Sequence, residues 1–424
     1  MKKYVKRIFS IILTFSVASG LAACKTEHHH SAKDDSYITA SSEPADKESS
    51  GALDSASSEI GTIPAVTEPS KDENTVPSEW RDGGIFSDYY EKACFRMEQM
   101  TTDEKVGQLI LARCPADDAY ELAKEFHLGG YVLFYRDFED KTKDDVIKEM
   151  VSYTKAQDIP MIISVDEEGG TVSRLSGHSD LTEEDFLSPR EIFGQGGIEA
   201  IQKDALRKAQ LLVNLGINTN LAPVCDICTG EDKFMYDRSL GQSTDVTCRF
   251  VREVTKISQE NGISVTLKHF PGYGNNEDTH TGIAVDKRNI ETFESTDFKP
   301  FKAGIDEGAH VVLVSHNIVE CMDAEKPASL SENVHEILRK ELGFTGIVIT
   351  DDLGMGAISE YSPDQSVVVN AFLAGNDMLC VSDIDSTYDK LLEAVHSGVI
   401  EKDALNHSVM RILAWKYAKG LLKD

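Results

Sequence analysis

Eight short apolar runs, each followed by a longer charged stretch, constrain the fold of this chain more than any other feature of it. The runs cover 106–112, 130–134, 161–165, 219–224, 264–267, 310–314, 346–349 and 377–381, and they are rich in Val, Ile and Leu. Strands buried on both faces read this way, because both rows of side chains must be apolar. The stretches between them, such as 144–157 and 198–216, repeat Leu, Ile, Val and Ala at helical spacing. Alternation of strand and helix about eight times predicts an α/β fold, a (β/α)8 (TIM) barrel. One such barrel takes about 250 residues or more, and the 424-residue chain, 41% hydrophobic, can supply its core. An open, doubly wound sheet is the alternative architecture. No internal repeat of fixed short period is visible.

The first residues stand outside this pattern. Lys2, Lys3, Lys6 and Arg7 precede an apolar run, Ile8-Phe9 and 11–17, and small residues lead on to Cys24. This is the layout of a secretory signal, too short for a membrane span of about 20 apolar residues. Leu21-Ala22-Ala23-Cys24 is similar to the bacterial lipobox, which implies cleavage after Ala23 and lipidation of Cys24. Two acyl chains anchor a protein where one does not. The stretch after Cys24 is Ser-rich and acidic and nearly devoid of large apolar residues, so it cannot bury enough surface to fold. Its His28-His29-His30 reads as part of a solvated tract. The expected organisation is a signal peptide over 1–23, a tether over 24–80 and the barrel over 81–424. The expected location is outside the cytoplasm, lipid-anchored to the cell membrane.

A formal net charge of −29 disfavours nucleic acid as a partner. Among eight cysteines, Cys225 and Cys228 form a single CxxC, too little for a zinc or redox site. Export permits disulfides without fixing their pairing. A monomer without cofactor or metal is expected.

In a barrel of this kind, function gathers at the C-terminal ends of the strands. The residues after the predicted strands are unusually polar: Asp166-Glu167-Glu168 after the third, Asp226 after the fourth, Lys268-His269 after the fifth, His316-Asn317 after the sixth, Asp351-Asp352 after the seventh. So many ionisable groups on one rim point to a polar, sugar-like substrate or a metal. The segment from Lys268 to Gly282 begins as a strand and becomes a loop punctuated by Pro271, Gly272 and Gly274. Within it Asp278 and His280 are two residues apart. A carboxylate beside an imidazole raises its basicity and makes it a competent proton donor near neutral pH. Asp351 ends a buried strand aimed at the rim, where a carboxylate could attack an anomeric carbon. Asp352 is expected to point the other way, as a structural hydrogen-bonding residue.

These residues carry a resemblance. From about Tyr90 onward the chain resembles glycoside hydrolase family 3, in its β-N-acetylhexosaminidase branch. The match runs through Met100 to Leu109, Leu128-Gly129-Gly130, Asp166 to Leu175 and Asn220 to Asp226. It continues through Arg238-Ser239-Leu240-Gly241, the Lys268 loop, Pro327 to Ser331 and Thr350 to Met355. The resemblance implies a retaining exo-glycosidase that removes terminal β-linked N-acetylglucosamine from cell-wall glycans such as peptidoglycan fragments, with no cofactor. It makes Asp351 the nucleophile and His280 the acid/base, with Asp278 as its partner. It places Asp166, Arg174, Arg238, Lys268, His269 and His316 on the sugar. It also shows departures: Tyr273 stands where His is usual, Glu167 and Thr171 stand where Gln and Arg are usual, and the loop before Asp278 is one residue shorter. Four alternatives stay open: a β-glucosidase or β-xylosidase of the same family, a phosphorylase, a metal-dependent hydrolase using His269, His280, His316 and Asp351, and a non-catalytic sugar-binding lipoprotein.

Overall fold

The computed structural model describes residues 76–276, 282–361 and 367–423; Cys24, Asp278 and His280 lie outside them. Eight parallel strands, β1 (Ile110–Arg113), β2 (Gly130–Leu133), β3 (Ile162–Val165), β4 (Thr219–Asn220), β5 (Ser264–Phe270), β6 (Val311–Val314), β7 (Ile347–Thr350) and β8 (Leu379–Val381), pair in the order β8-β1-β2-β3-β4-β5-β6-β7. The two ends of that order meet. Ile349 of β7 bridges Met378 beside β8, and the amides of Asp377 and Met378 donate to the carbonyl of Val348 at 2.8 and 3.1 Å. The sheet closes into the expected barrel, with every residue of β2, β3, β5, β6 and β7 buried.

Three apolar runs differ from their expected extents by three residues or more. The first begins as a helix, Thr102–Gln108, because Thr101 and Glu104 form a reciprocal capping box; only Ile110–Arg113 is strand. The fourth shrinks to Thr219–Asn220, since Pro223 has no amide to give a ladder. The fifth runs on to Phe270. Between strands, the helix Pro189–Asn214 starts on a Ser188–Glu191 capping box with Pro189 in its first turn. It breaks at Gly196–Gly197, where Gly197 takes φ +60°, a conformation glycine adopts without steric cost.

The N-terminal ends of the strands are closed by the first described residues. The Ile85 amide donates to Thr345 Oγ1 at 3.2 Å, just ahead of β7. The Phe86 ring lies 5.4 Å from that of His310, just ahead of β6. Trp80 stacks on His407 in the helix Lys402–Ala418, with 5.4 Å between centroids. Val76 and Trp80 belong to the buried core, so packing begins ahead of the tether's expected end at residue 80.

On the same face Asp377 sits between Arg339 Nη2 at 2.7 Å and Arg411 Nη1 at 2.6 Å. Burial raises its carboxyl, but the Arg411 and Arg339 guanidinium groups outweigh this and hold it below the usual carboxylate range. The fully buried Lys416 amine donates to Gln108 Oε1 at 2.6 Å and to the Gly129 carbonyl at 3.0 Å. Burial pushes it down to about 7.

Candidate active site

The opposite, C-terminal ends of the strands surround a cavity of about 600 Å³, in the range of small-molecule sites. Its charged wall is built from β3 outward. Side chains alternate along an extended chain, so Asp166 and Glu168 reach one way and Glu167 the other. Lys268, at 2% side-chain exposure, lies between the first two: its Nζ is 2.7 Å from Asp166 Oδ1 and 2.6 Å from Glu168 Oε1. Glu168 in turn accepts from Arg238 twice, Nε at 3.0 Å and Nη2 at 2.7 Å. Arg238 Nη2 also faces His269 Nε2 at 3.0 Å, and His269 Nδ1 lies 2.8 Å from Asp226 Oδ2. A guanidinium only donates, so Nε2 accepts and Nδ1 carries the proton toward Asp226. At the other end Arg174 Nη2 meets Asp166 Oδ2 at 3.3 Å.

This continuous chain of alternating charge fixes ionisation. Burial raises the Glu168 carboxyl, but Arg238 and Lys268 outweigh it and hold the group far below the usual carboxylate range. Burial likewise raises Asp166, and Lys268 and Arg174 reverse the direction. Burial lowers the Lys268 amine, and Asp166 and Glu168 together more than restore it, leaving it raised. The wall thus presents fixed donors and acceptors suited to hydroxyl groups.

Glu167 does separate work. Its Oε2 accepts from the amides of Arg174 and Leu175 at 2.9 and 3.0 Å, and its Oε1 from Ser173 Oγ at 2.5 Å. It fastens the turn that carries Arg174 to Asp166. Three donors meet two acceptor oxygens, which a carboxylate satisfies and an amide nitrogen would not. Burial raises this carboxyl despite the Ser173 hydroxyl and the Lys208 charge.

Asp351 follows β7 and lines the cavity across from this wall. Its amide donates to the Val314 carbonyl at 2.9 Å, holding it on the strand end, and its Oδ1 accepts from the Asp352 amide at 2.9 Å. Asp352 accepts from the Gly354 amide at 2.9 Å and from Ser382 Oγ at 3.1 Å, bracing the turn. The structure brings Asp166, Arg174, Arg238, Lys268, His269 and Asp351 to one cavity. His316 is placed differently from the expectation that it lies on the sugar. It is fully buried and not part of the cavity wall. Its Nε2 faces the Asp352 carbonyl at 3.0 Å and its Nδ1 faces Ser329 Oγ at 2.7 Å. The ring supports the turn after β7 from behind.

Among the wall residues that escaped sequence reasoning, two stand at strand ends. Arg113 is the last residue of β1, one beyond the expected run, and Phe134 is the first after β2, counted there as strand. The rule that strand ends carry function would have found both had the run ends been placed correctly. The Arg113 guanidinium lies 4.2 Å from the Phe134 ring centroid and that of Arg174 5.1 Å. Among the described residues the cysteines are free thiols, Cys225 and Cys228 included, and no cluster of three His, Cys, Asp or Glu could hold a metal ion.

The profile of the glycosyl hydrolase family 3 N-terminal domain matches residues 101–415. The chain belongs to glycosyl hydrolase family 3. It is similar to a β-hexosaminidase of Xylella fastidiosa strain M23, 32% identical over 302 residues, covering 70% of this chain and 88% of the relative. It is similar to a β-hexosaminidase of Xanthomonas campestris pv. campestris strain B100, 34% identical over 308 residues, covering 70% and 89%. Among solved structures, a family 3 β-N-acetylglucosaminidase from Paenibacillus sp. FPU-7 superposes with a TM-score of 0.70 at 32% identity. That match covers 76% of this chain and 63% of the Paenibacillus chain. A family 3 barrel whose polar cavity opens at the strand C-termini makes this chain a glycoside hydrolase.

Proposed function

We propose that the enzyme is a retaining exo-β-N-acetylhexosaminidase that releases terminal β-linked N-acetylglucosamine from cell-wall-derived glycans. The observation that carries this reading is the joint presence, in one cavity, of Asp351 at the end of β7 and the charge chain from Asp166 to His269. The sugar's hydroxyls bind the chain, and its anomeric carbon faces Asp351. The Asp351 carboxylate forms an ester bond to C1 as the C1–O bond to the aglycone breaks, and His280, oriented by Asp278, gives its proton to the departing oxygen. Water then adds to C1, returns a proton to His280, and the ester bond to Asp351 breaks. The names of the similar β-hexosaminidases support the acetamido sugar as substrate. We place the enzyme outside the cytoplasm, held by acyl chains on Cys24.

The test compares an aryl β-N-acetylglucosaminide with the matching aryl β-glucoside, with and without phosphate, in wild type and Asp351→Ala. Selective turnover of the first, lost in Asp351→Ala and independent of phosphate, is expected. Faster turnover of the glucoside, release of a sugar 1-phosphate, or wild-type rates in Asp351→Ala would each overturn the assignment.

A further inference from the structure

Four cationic side chains line the cavity: Arg113, Arg174, Arg238 and Lys268. Three are committed to carboxylates, Arg174 to Asp166, Arg238 to Glu168, and Lys268 to both. Arg113 has no hydrogen bond or ion pair with any described residue, and its Nε is buried without a partner. Its guanidinium lies 4.2 Å from the centroid of the Phe134 ring. Stacking on that ring holds the guanidinium plane in place and occupies its face, and the edge of a guanidinium is where its donors lie. A held guanidinium edge suits an oxyanion that takes two parallel hydrogen bonds. A neutral hydroxyl would leave the charge uncompensated.

The topology adds direction. β1 stands across the barrel from β5, with three strands between them on either side. A sugar gripped on one side by Lys268 and His269 of β5 meets Arg113 on its other side. We infer that Arg113 binds an anionic substituent, a carboxylate, sulfate or phosphate ester, borne by the sugar that occupies the cavity. The preferred substrate then carries such an anionic group on its terminal N-acetylglucosamine. This rests on the proposed reading that a sugar fills the site. The formal charge of −29 over the whole chain repels anions at a distance, so selectivity for an acidic sugar needs such a local cation.

The experiment measures binding by titration calorimetry, which needs no turnover. Its ligands are N-acetylglucosamine, its 6-phosphate and 6-sulfate, N-acetylmuramic acid and inorganic phosphate, titrated into the full mature chain. The expected result is that at least one acidic sugar binds wild type more tightly than N-acetylglucosamine. That ratio should fall by about 10- to 100-fold in Arg113→Met, the range of a charged hydrogen-bonded contact, and recover in part in Arg113→Lys. The readout is the ratio, so a change in neutral-sugar affinity does not confuse it. An absence of preference in wild type, or a ratio unchanged in both variants, overturns the inference. So does Arg113-dependent binding of inorganic phosphate without any preference among sugars. Hydrolysis of the aryl N-acetylglucosaminide without charge preference removes this inference and leaves the proposed function standing. Arg113-dependent binding of an acidic sugar without hydrolysis does the reverse.

Discussion

Glu168→Gln is the sharpest probe of the charged wall. The substitution keeps the shape and removes one charge from between Lys268 and Arg238. In the native site Glu168 Oε1 accepts at 2.6 and 2.7 Å and Oε2 at 3.0 Å. A glutamine turned to keep its oxygen at the first position points its amide nitrogen at Arg238 Nε, donor against donor. One charged hydrogen bond is lost, about 1.5–3 kcal/mol, and two lose the acceptor's charge, a further weakening of about 1 kcal/mol each. The sum, about 3–5 kcal/mol, equals the usual cost of removing one member of a buried ion pair. At roughly 2 °C per kcal/mol for a domain of this size, the melting temperature should fall by about 6–10 °C at pH 7. The pH dependence has a definite sign. The folded carboxyl lies below its usual value of 4.5, so its contribution is complete above that value and is lost as pH falls through the folded value. Matched urea titrations of the two proteins should differ by a constant amount from pH 7 to about 5.5. By pH 3.5 the gap should be narrower by about 1.4 kcal/mol, one pKa unit. A loss under about 1 kcal/mol at pH 7, or a gap that stays constant to pH 3.5, would show that Glu168 does not carry the charge assigned to it.

Other tests are quicker. Asp351→Ala should reduce hydrolysis of an aryl N-acetylglucosaminide on the order of 10⁴-fold or more, measured as kcat against matched protein. His280→Ala should slow poor leaving groups by about 10²- to 10⁴-fold and good ones much less; equal losses would count against an acid role. Cys24→Ser should move the protein from the membrane fraction to the soluble fraction, and continued membrane association would remove the lipid anchor. Lys416→Met should gain or hold stability relative to wild type near pH 7 and lose ground as pH rises toward 10.5. The folded amine sits at about 7, so the unfolded chain binds the extra proton in that window and wild-type stability rises with pH.

The barrel was legible because strands buried on both faces are largely apolar, and eight such runs alternate with stretches of helical spacing. What failed to show were the ends. Leu109 and Ile110 look alike in sequence, but a capping box at Thr101 makes the preceding residues helical and hands Arg113 to the strand. Leu221 to Val224 look as strand-like as 162–165, but Pro223 takes an amide from the ladder. At the ends of β1 and β2 a shift of one residue decides which side chain reaches the rim, and it hid Arg113 and Phe134. The cavity-lining residues Asp166, Lys268, His269 and Asp351 were visible as polar groups at the ends of apolar runs. Glu168 was visible as an acid, but its place between Lys268 and Arg238 needs three strand ends in space. His316 shows the converse: its position at a strand end suggested a ligand contact, and two neighbours, Ser329 and the Asp352 carbonyl, take its ring instead.

The Ile85 amide on Thr345 and the Phe86 ring beside His310 tie the start of the described chain to the floor of the barrel. The cavity lies at the far end of the strands. A pull on the N-terminus would therefore load the floor first and leave the cavity wall undisturbed.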